Sequence, residues 1–109
     1  LLRHIFGQKE NKIDLEKIKQ NILKLKVLQF NRQGKYNGEL SPKEMKIYCN
    51  AEKSAENILE KAVDNYKLSL RAVHKILKVG RTIADMENEK IINSKHIGEA
   101  IQYRFMQND

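Results

Sequence analysis

Leu68-Ser69-Leu70-Arg71-Ala72-Val73-His74-Lys75-Ile76-Leu77-Lys78-Val79-Gly80-Arg81-Thr82-Ile83-Ala84-Asp85 is the stretch on which the reading of this chain turns. It reads as a long amphipathic helix opened by Ser69, whose hydroxyl is suited to accept a hydrogen bond from an early backbone N–H. At about 100° per residue, Arg71, Lys75 and Lys78 fall on one face, and Val73, Ile76, Leu77, Gly80, Ile83 and Ala84 on the opposite one. Arg71 lies in the first turn, beside backbone N–H groups that no helical carbonyl reaches. Spacing alone leaves two readings of it: a solvated surface cation, or a guanidinium placed to hold an anion, phosphate above all. Gly80 sits in the middle of the apolar face, where glycine costs about 1 kcal/mol of helix propensity relative to alanine. Close approach of another helix accounts for it, since a large side chain there would push that helix away.

Outward from this stretch, a chain of 109 residues has the length of one domain and the means to bury one modest core. Hydrophobic residues make up 40% and charged residues 32%, with no tryptophan, which describes a helical core of Ile, Leu, Val and Ala rather than a disordered chain. The formal net charge of +7 favours acidic partners, whether nucleotide, nucleic acid or an acidic neighbouring subunit, without choosing among them. A single cysteine excludes an internal disulfide and suits the reducing cytoplasm, the expected location. No apolar run approaches the ~20 residues that span a bilayer, so no membrane partner is expected. The opening Leu1-Leu2-Arg3-His4-Ile5-Phe6-Gly7 is too short for a signal peptide, and a start without methionine is that of a fragment.

The fold expected is all-α, a compact bundle of four to five helices, with residues 1–13 a tail or linker and residues 14–109 the helical domain. The helices are placed at about 14–31, 42–49, 51–66, 70–87 and 95–106. Asp14 caps the first, in which Leu15, Ile18, Ile22, Leu25, Leu28 and Gln29 recur at helical spacing while Lys17, Lys19, Lys24 and Lys26 make the other side basic. Gly34 and Gly38 mark a C-cap and a turn. Ser41-Pro42-Lys43-Glu44 has the makings of a capping box with proline at the first helical position. In the third helix Ala55, Ile58, Leu59, Ala62, Val63 and Tyr66 form the apolar side; Glu52, Glu56 and Glu60 beside them read as a solvated stripe, not a metal site. Ile91-Ile92 turns back toward the core, Asn93 or Ser94 caps the last helix, and Ile97, Ala100, Ile101 and Phe105 face inward. Cys49 reads as a small buried hydrophobe. His74 and His96 lack the paired spacing of a metal site and read as surface or boundary residues.

No Gly-x-x-x-x-Gly-Lys-Ser/Thr loop is present, nor any strand-borne acidic pair to hold magnesium, nor an arguable nucleophile–His arrangement. The chain alone is therefore expected to catalyse nothing and to contain no metal site.

The runs Leu68-Ser69-Leu70-Arg71-Ala72, Lys75-Ile76-Leu77-Lys78-Val79 and Arg81-Thr82-Ile83-Ala84-Asp85 resemble the C-terminal domain of magnesium-chelatase-related AAA+ ATPases, in particular the competence-protein (ComM/YifB-like) branch. Ile47-Tyr48-Cys49, Ile58-Leu59-Glu60-Lys61-Ala62 and His96-Ile97-Gly98-Glu99-Ala100-Ile101-Gln102-Tyr103-Arg104 extend the resemblance, with a weaker echo through Ile18, Ile22, Lys26, Gln29 and Arg32. In that family the domain is the helical lid, and the Ser-x-Arg that opens its helix carries the sensor 2 arginine. Ser69 and Arg71 match it, with Lys75 one turn along the same face. The resemblance implies ATP and Mg2+ held by a P-loop core upstream in a longer polypeptide, a homo-oligomer (a hexamer), and motor action on DNA. Arg81, Tyr103 and Arg104 also match and read as packing or subunit-interface residues. Two alternatives stand beside this: a free-standing basic helical module that binds nucleic acid, and the lid of a genuine magnesium chelatase motor subunit.

Overall fold

A computed structural model describes residues 14–107. The expected tail at residues 1–13 and the last two residues lie outside the described part. Asp14 opens helix α1 (Leu15–Gln33), its carboxylate accepting the Lys17 N–H at 3.1 Å. The helix runs beyond the expected Asn31 and stops at Gly34, whose φ of 76° is the left-handed conformation that glycine adopts without penalty. A 3-10 helix (Asn37–Glu39) follows and leads to α2 (Pro42–Tyr48). There the Ser41 hydroxyl accepts the Glu44 N–H at 3.2 Å while Glu44 accepts the Ser41 N–H at 2.9 Å, completing the capping box.

Helix α3 (Lys53–Tyr66) starts two residues later than expected. Ala51 is drawn instead into an isolated parallel bridge with Ile92, where the Glu52 N–H donates to the Ile92 carbonyl and the Ile92 N–H to the Asn50 carbonyl, both at 2.8 Å. Lys67 ends α3 at a φ of 53°, and Ser69 opens α4 (Leu70–Met86). The last helix, α5 (Ser94–Gln107), is capped by Asn93, whose side-chain oxygen accepts the His96 N–H at 3.0 Å.

The core joins Leu40, Met45, Leu59, Ile76, Ile92 and Ile97 with small residues Ala55, Ala84 and Ala100. On α4 the fully buried line is Ala72, Ile76, Gly80 and Ala84. It lies to one side of the expected stripe, so that Val73, Leu77 and Ile83 only flank the core. Gly80 is the point of closest approach to α5: a Cβ there would lie 3.1 Å from the Ile97 Cδ1 and 3.6 Å from the Ile92 Cγ2. Glycine's propensity cost is offset by letting two helices meet.

Other expectations need correction. Ile92 is buried as expected, but its neighbour Ile91 is half exposed. Tyr66 and Phe105 do not face inward; they shield each other at the surface, ring centroids 4.7 Å apart in an edge-on arrangement. Along α1 only Gln29 is fully buried, while Leu15, Ile18, Ile22, Leu23, Val27 and Phe30 are exposed. His96 is completely buried rather than at the boundary. Its Nδ1 accepts the Asn93 N–H at 3.0 Å, which leaves the proton on Nε2 to donate to Glu87 at 2.8 Å.

Candidate functional site

The first turn of α4 forms as its sequence requires. The Ser69 hydroxyl accepts the Ala72 N–H at 3.1 Å, and the Ser69 carbonyl accepts the Val73 N–H at 3.0 Å. The N–H groups of Leu70 and Arg71 are left at the open end of the helix. Arg71 is exposed and enters no ion pair among the described residues. Its guanidinium is therefore free to meet an anion brought from outside. Lys75, one turn on, is also exposed. The third cation of the face, Lys78, is half-buried and reaches across to donate to the Gly38 carbonyl at 3.0 Å, tying α4 to the 3-10 helix.

At the other end of α4 the same residue type does the opposite job. Arg81 is only 1% exposed. Its Nε donates to Asp85 at 3.1 Å, one Nη to the carbonyls of Lys90 (2.8 Å) and Tyr48 (3.3 Å), and the other to the Glu89 carbonyl. Burial lowers its pKa against the opposing pull of Asp85. The Asp85 carboxylate also takes a bidentate pair from Arg32 of α1, at 2.8 and 3.1 Å, and the Asn37 amide at 3.0 Å. Asn37, itself 2% exposed, accepts through its side-chain oxygen from Arg32 at 2.9 Å and Gln33 at 2.7 Å, and its backbone N–H donates to the Gln29 side-chain Oε1 at 2.9 Å. Arg81, expected as a packing or subunit-interface residue, thus lies buried against partners from its own chain. Every charged group in this network is occupied by another, so it holds α1, the 3-10 helix and α4 together and offers no group for acid–base chemistry.

Tyr103 and Arg104 fall in a third place. With Lys75 and Lys78 they line a groove of about 420 Å³ between α4 and α5. Tyr103 is half exposed, its hydroxyl accepting from Gln107 at 2.9 Å. The structure thus groups Ser69 with Arg71, groups Lys75 with Tyr103 and Arg104, and sets Arg81 apart in the interior. The Asp85 network escapes a reading by spacing: Arg81 and Asp85 stand at i and i+4 and look like a surface pair, and Arg32 lies far from both in sequence. The one available signal was Arg81 falling beside an apolar stripe.

Among the described residues no group of three or more His, Cys, Asp or Glu side chains is placed to hold a metal ion. Glu52, Glu56 and Glu60 are exposed along one side of α3. Cys49 is buried, and burial raises its pKa, which makes it an inert thiol. No described helix is long and apolar enough to cross a membrane.

The described residues thus form an all-helical bundle in which Ser69 caps the helix that carries Arg71. Residues 13–104 match the family described as magnesium chelatase, subunit ChlI C-terminal, and the chain belongs to that family. It is similar to the competence protein ComM of Haemophilus influenzae, at 42% identity over 89 residues, which is 82% of this chain and 18% of that protein. It is also similar to the YifB proteins of Escherichia coli (38% identity over 87 residues) and Salmonella typhimurium (36% over 87), in each case 80% of this chain and 17% of the relative. The chain thus spans less than a fifth of the length of these relatives.

Proposed function

We propose that this chain is the helical lid of an AAA+ ATPase of the magnesium-chelatase-related group, ComM-like, in which Arg71 contacts the γ-phosphate of ATP. The observation that carries the reading is the exposed guanidinium of Arg71, in no ion pair among the described residues, at the opening of a Ser69-capped helix. Its planar fork can take two phosphate oxygens at once, and it stabilises the charge that develops as the phosphoryl group transfers. Ser69 holds the first turn in register, and Lys75 adds to the positive field. Without a P-loop or a carboxylate pair, the described residues suit one contact to a terminal phosphate and not a complete nucleotide–Mg2+ site. The remainder of that site belongs to a core upstream in a longer polypeptide, in keeping with the chain's share of its relatives' length.

In this reading the assembled protein is a cytoplasmic homo-oligomer, a hexamer. Loss of the γ-phosphate contact after hydrolysis releases the lid and turns chemistry into motion. The Haemophilus relative is named a competence protein, and the resemblance to that branch is the ground for proposing DNA as the object of that motion. The metal-insertion alternative draws support only from the family's description, whereas the named relatives favour the competence branch.

The test is Arg71→Ala in the longer polypeptide. ATP turnover should fall by about 2–4 kcal/mol of barrier, the effect of removing one charge-stabilising donor. Equal turnover in variant and parent rejects the assignment. The chain by itself should show no ATPase activity.

A further inference from the structure

The two long grooves flanking α4 differ in charge. The larger, of about 970 Å³, lies among α2, α3 and α4 and carries Glu56, Glu60 and Asp64 against the single cation Lys46. The smaller, between α4 and α5, is walled by Lys75, Lys78 and Arg104 and has no carboxylate among its lining residues. Its floor is apolar, with Ile76 and Ala100 each 1% exposed. Three cationic residues therefore line one cavity over a low-dielectric base, with no carboxylate in the lining to balance them. The Nε of Arg104 is, moreover, buried with no hydrogen-bond partner among the described residues. A buried charged donor without an acceptor is costly, and an acceptor supplied by a ligand removes the cost. Lys78 gives one proton to the Gly38 carbonyl and has two left to donate.

We propose that this groove is a phosphate-binding site, separate from the Arg71 contact, in which Arg104, Lys75 and Lys78 hold a phosphate oxyanion. A phosphate ester brings up to about two negative charges and three acceptor oxygens, which suits a groove lined by three cationic residues better than a single carboxylate would. The half-exposed ring of Tyr103 stands in the same lining and offers a stacking surface to a base attached to that phosphate. The site shares Lys75 with the field proposed around Arg71 but needs neither Arg71 nor any upstream core, so it stands or falls apart from the ATPase reading.

The experiment is a titration of the 109-residue chain followed by amide chemical shifts, with inorganic pyrophosphate in one arm and a short oligo(dT) strand in the other. Saturable shifts at Lys75, Lys78 and Arg104 are expected. Arg104→Gln and Lys75→Gln should each weaken affinity by about tenfold, the loss of one charge-assisted contact, with Arg104→Lys restoring part of it. Lys75 is exposed, so its variant reports binding without a folding defect. Arg71→Ala should bind as the parent does, which separates this site from the sensor arginine. Saturation by pyrophosphate alone identifies a free phosphate as the ligand, and saturation by the strand identifies a phosphodiester backbone. Absence of saturable shifts in both arms, or unchanged affinity in either glutamine variant, overturns the proposal.

Discussion

Arg71 and Arg81 stand on one helix and have opposite fates. Arg71, in the first turn, projects into solvent with no ion pair among the described residues; Arg81, near the last turn, is sealed inside by Asp85 and three backbone carbonyls. The difference lies in what the surrounding chain supplies. Around Arg81 the segment after α4 folds back and aims the carbonyls of Glu89 and Lys90 at the guanidinium, while α2 ends with the Tyr48 carbonyl facing the same group. Around Arg71 no described segment does the same. A cation whose acceptors come from its own chain is part of the scaffold, and one that lacks them is available to a ligand.

The comparison is tested most severely at Asp85. Asp85→Ala strands the buried Arg81 charge and unfastens Arg32, and should cost about 3–5 kcal/mol, read as a fall in the urea midpoint of unfolding. A loss below about 1 kcal/mol would show that the network is not what consumes Arg81. Gly80→Leu overpacks the helix contact against Ile97 and should cost about 1–3 kcal/mol. An unchanged melting temperature would remove Gly80 from that contact. A smaller effect is expected at Glu87, where α4 ends. The hydrogen bond from His96 lowers the Glu87 pKa, so folding holds this carboxyl in its ionised form. The stability that this contributes is complete above the ordinary glutamate value and is lost as pH falls through the lowered one. Glu87→Gln should therefore flatten that acid limb of the stability–pH curve while leaving the neutral region close to the parent. The smallest effect belongs to Arg71→Ala, whose stability should stay within about 0.5 kcal/mol of the parent. A larger drop would mean that Arg71 is as structural as Arg81.

What was legible in the sequence was local chemistry. Ser41-Pro42-Lys43-Glu44, Ser69 and Gly34 each act on backbone groups within four residues, and each produced the helix end expected of it. Gly80 was legible because a glycine on an apolar face leaves few explanations other than close approach. What stayed hidden depends on partners distant in the chain. His96 is buried because Asn93 and Glu87 between them take both ring nitrogens, and Ala51 leaves its helix for a bridge to Ile92. Arg32 meets Asp85 across 53 positions, a pairing that no periodicity encodes. The candidate site divides the same way. The exposure of Arg71 follows from helical spacing, whereas the role proposed for it rests on the family resemblance. The gathering of Lys75, Lys78 and Arg104 into one groove needed α5 to be laid against α4.

Helix α1 carries a mechanical implication. At 1.5 Å per residue its 19 residues extend for about 28 Å, and its polar fastening to the bundle, through Gln29, Arg32 and Gln33, lies in the last two turns. Were the helix to pivot at the Arg32–Asp85 fork, a tilt of about 10° would sweep the far tip through about 5 Å. Torque applied near Leu15 would then be delivered to the carboxylate that also grips the interior of α4.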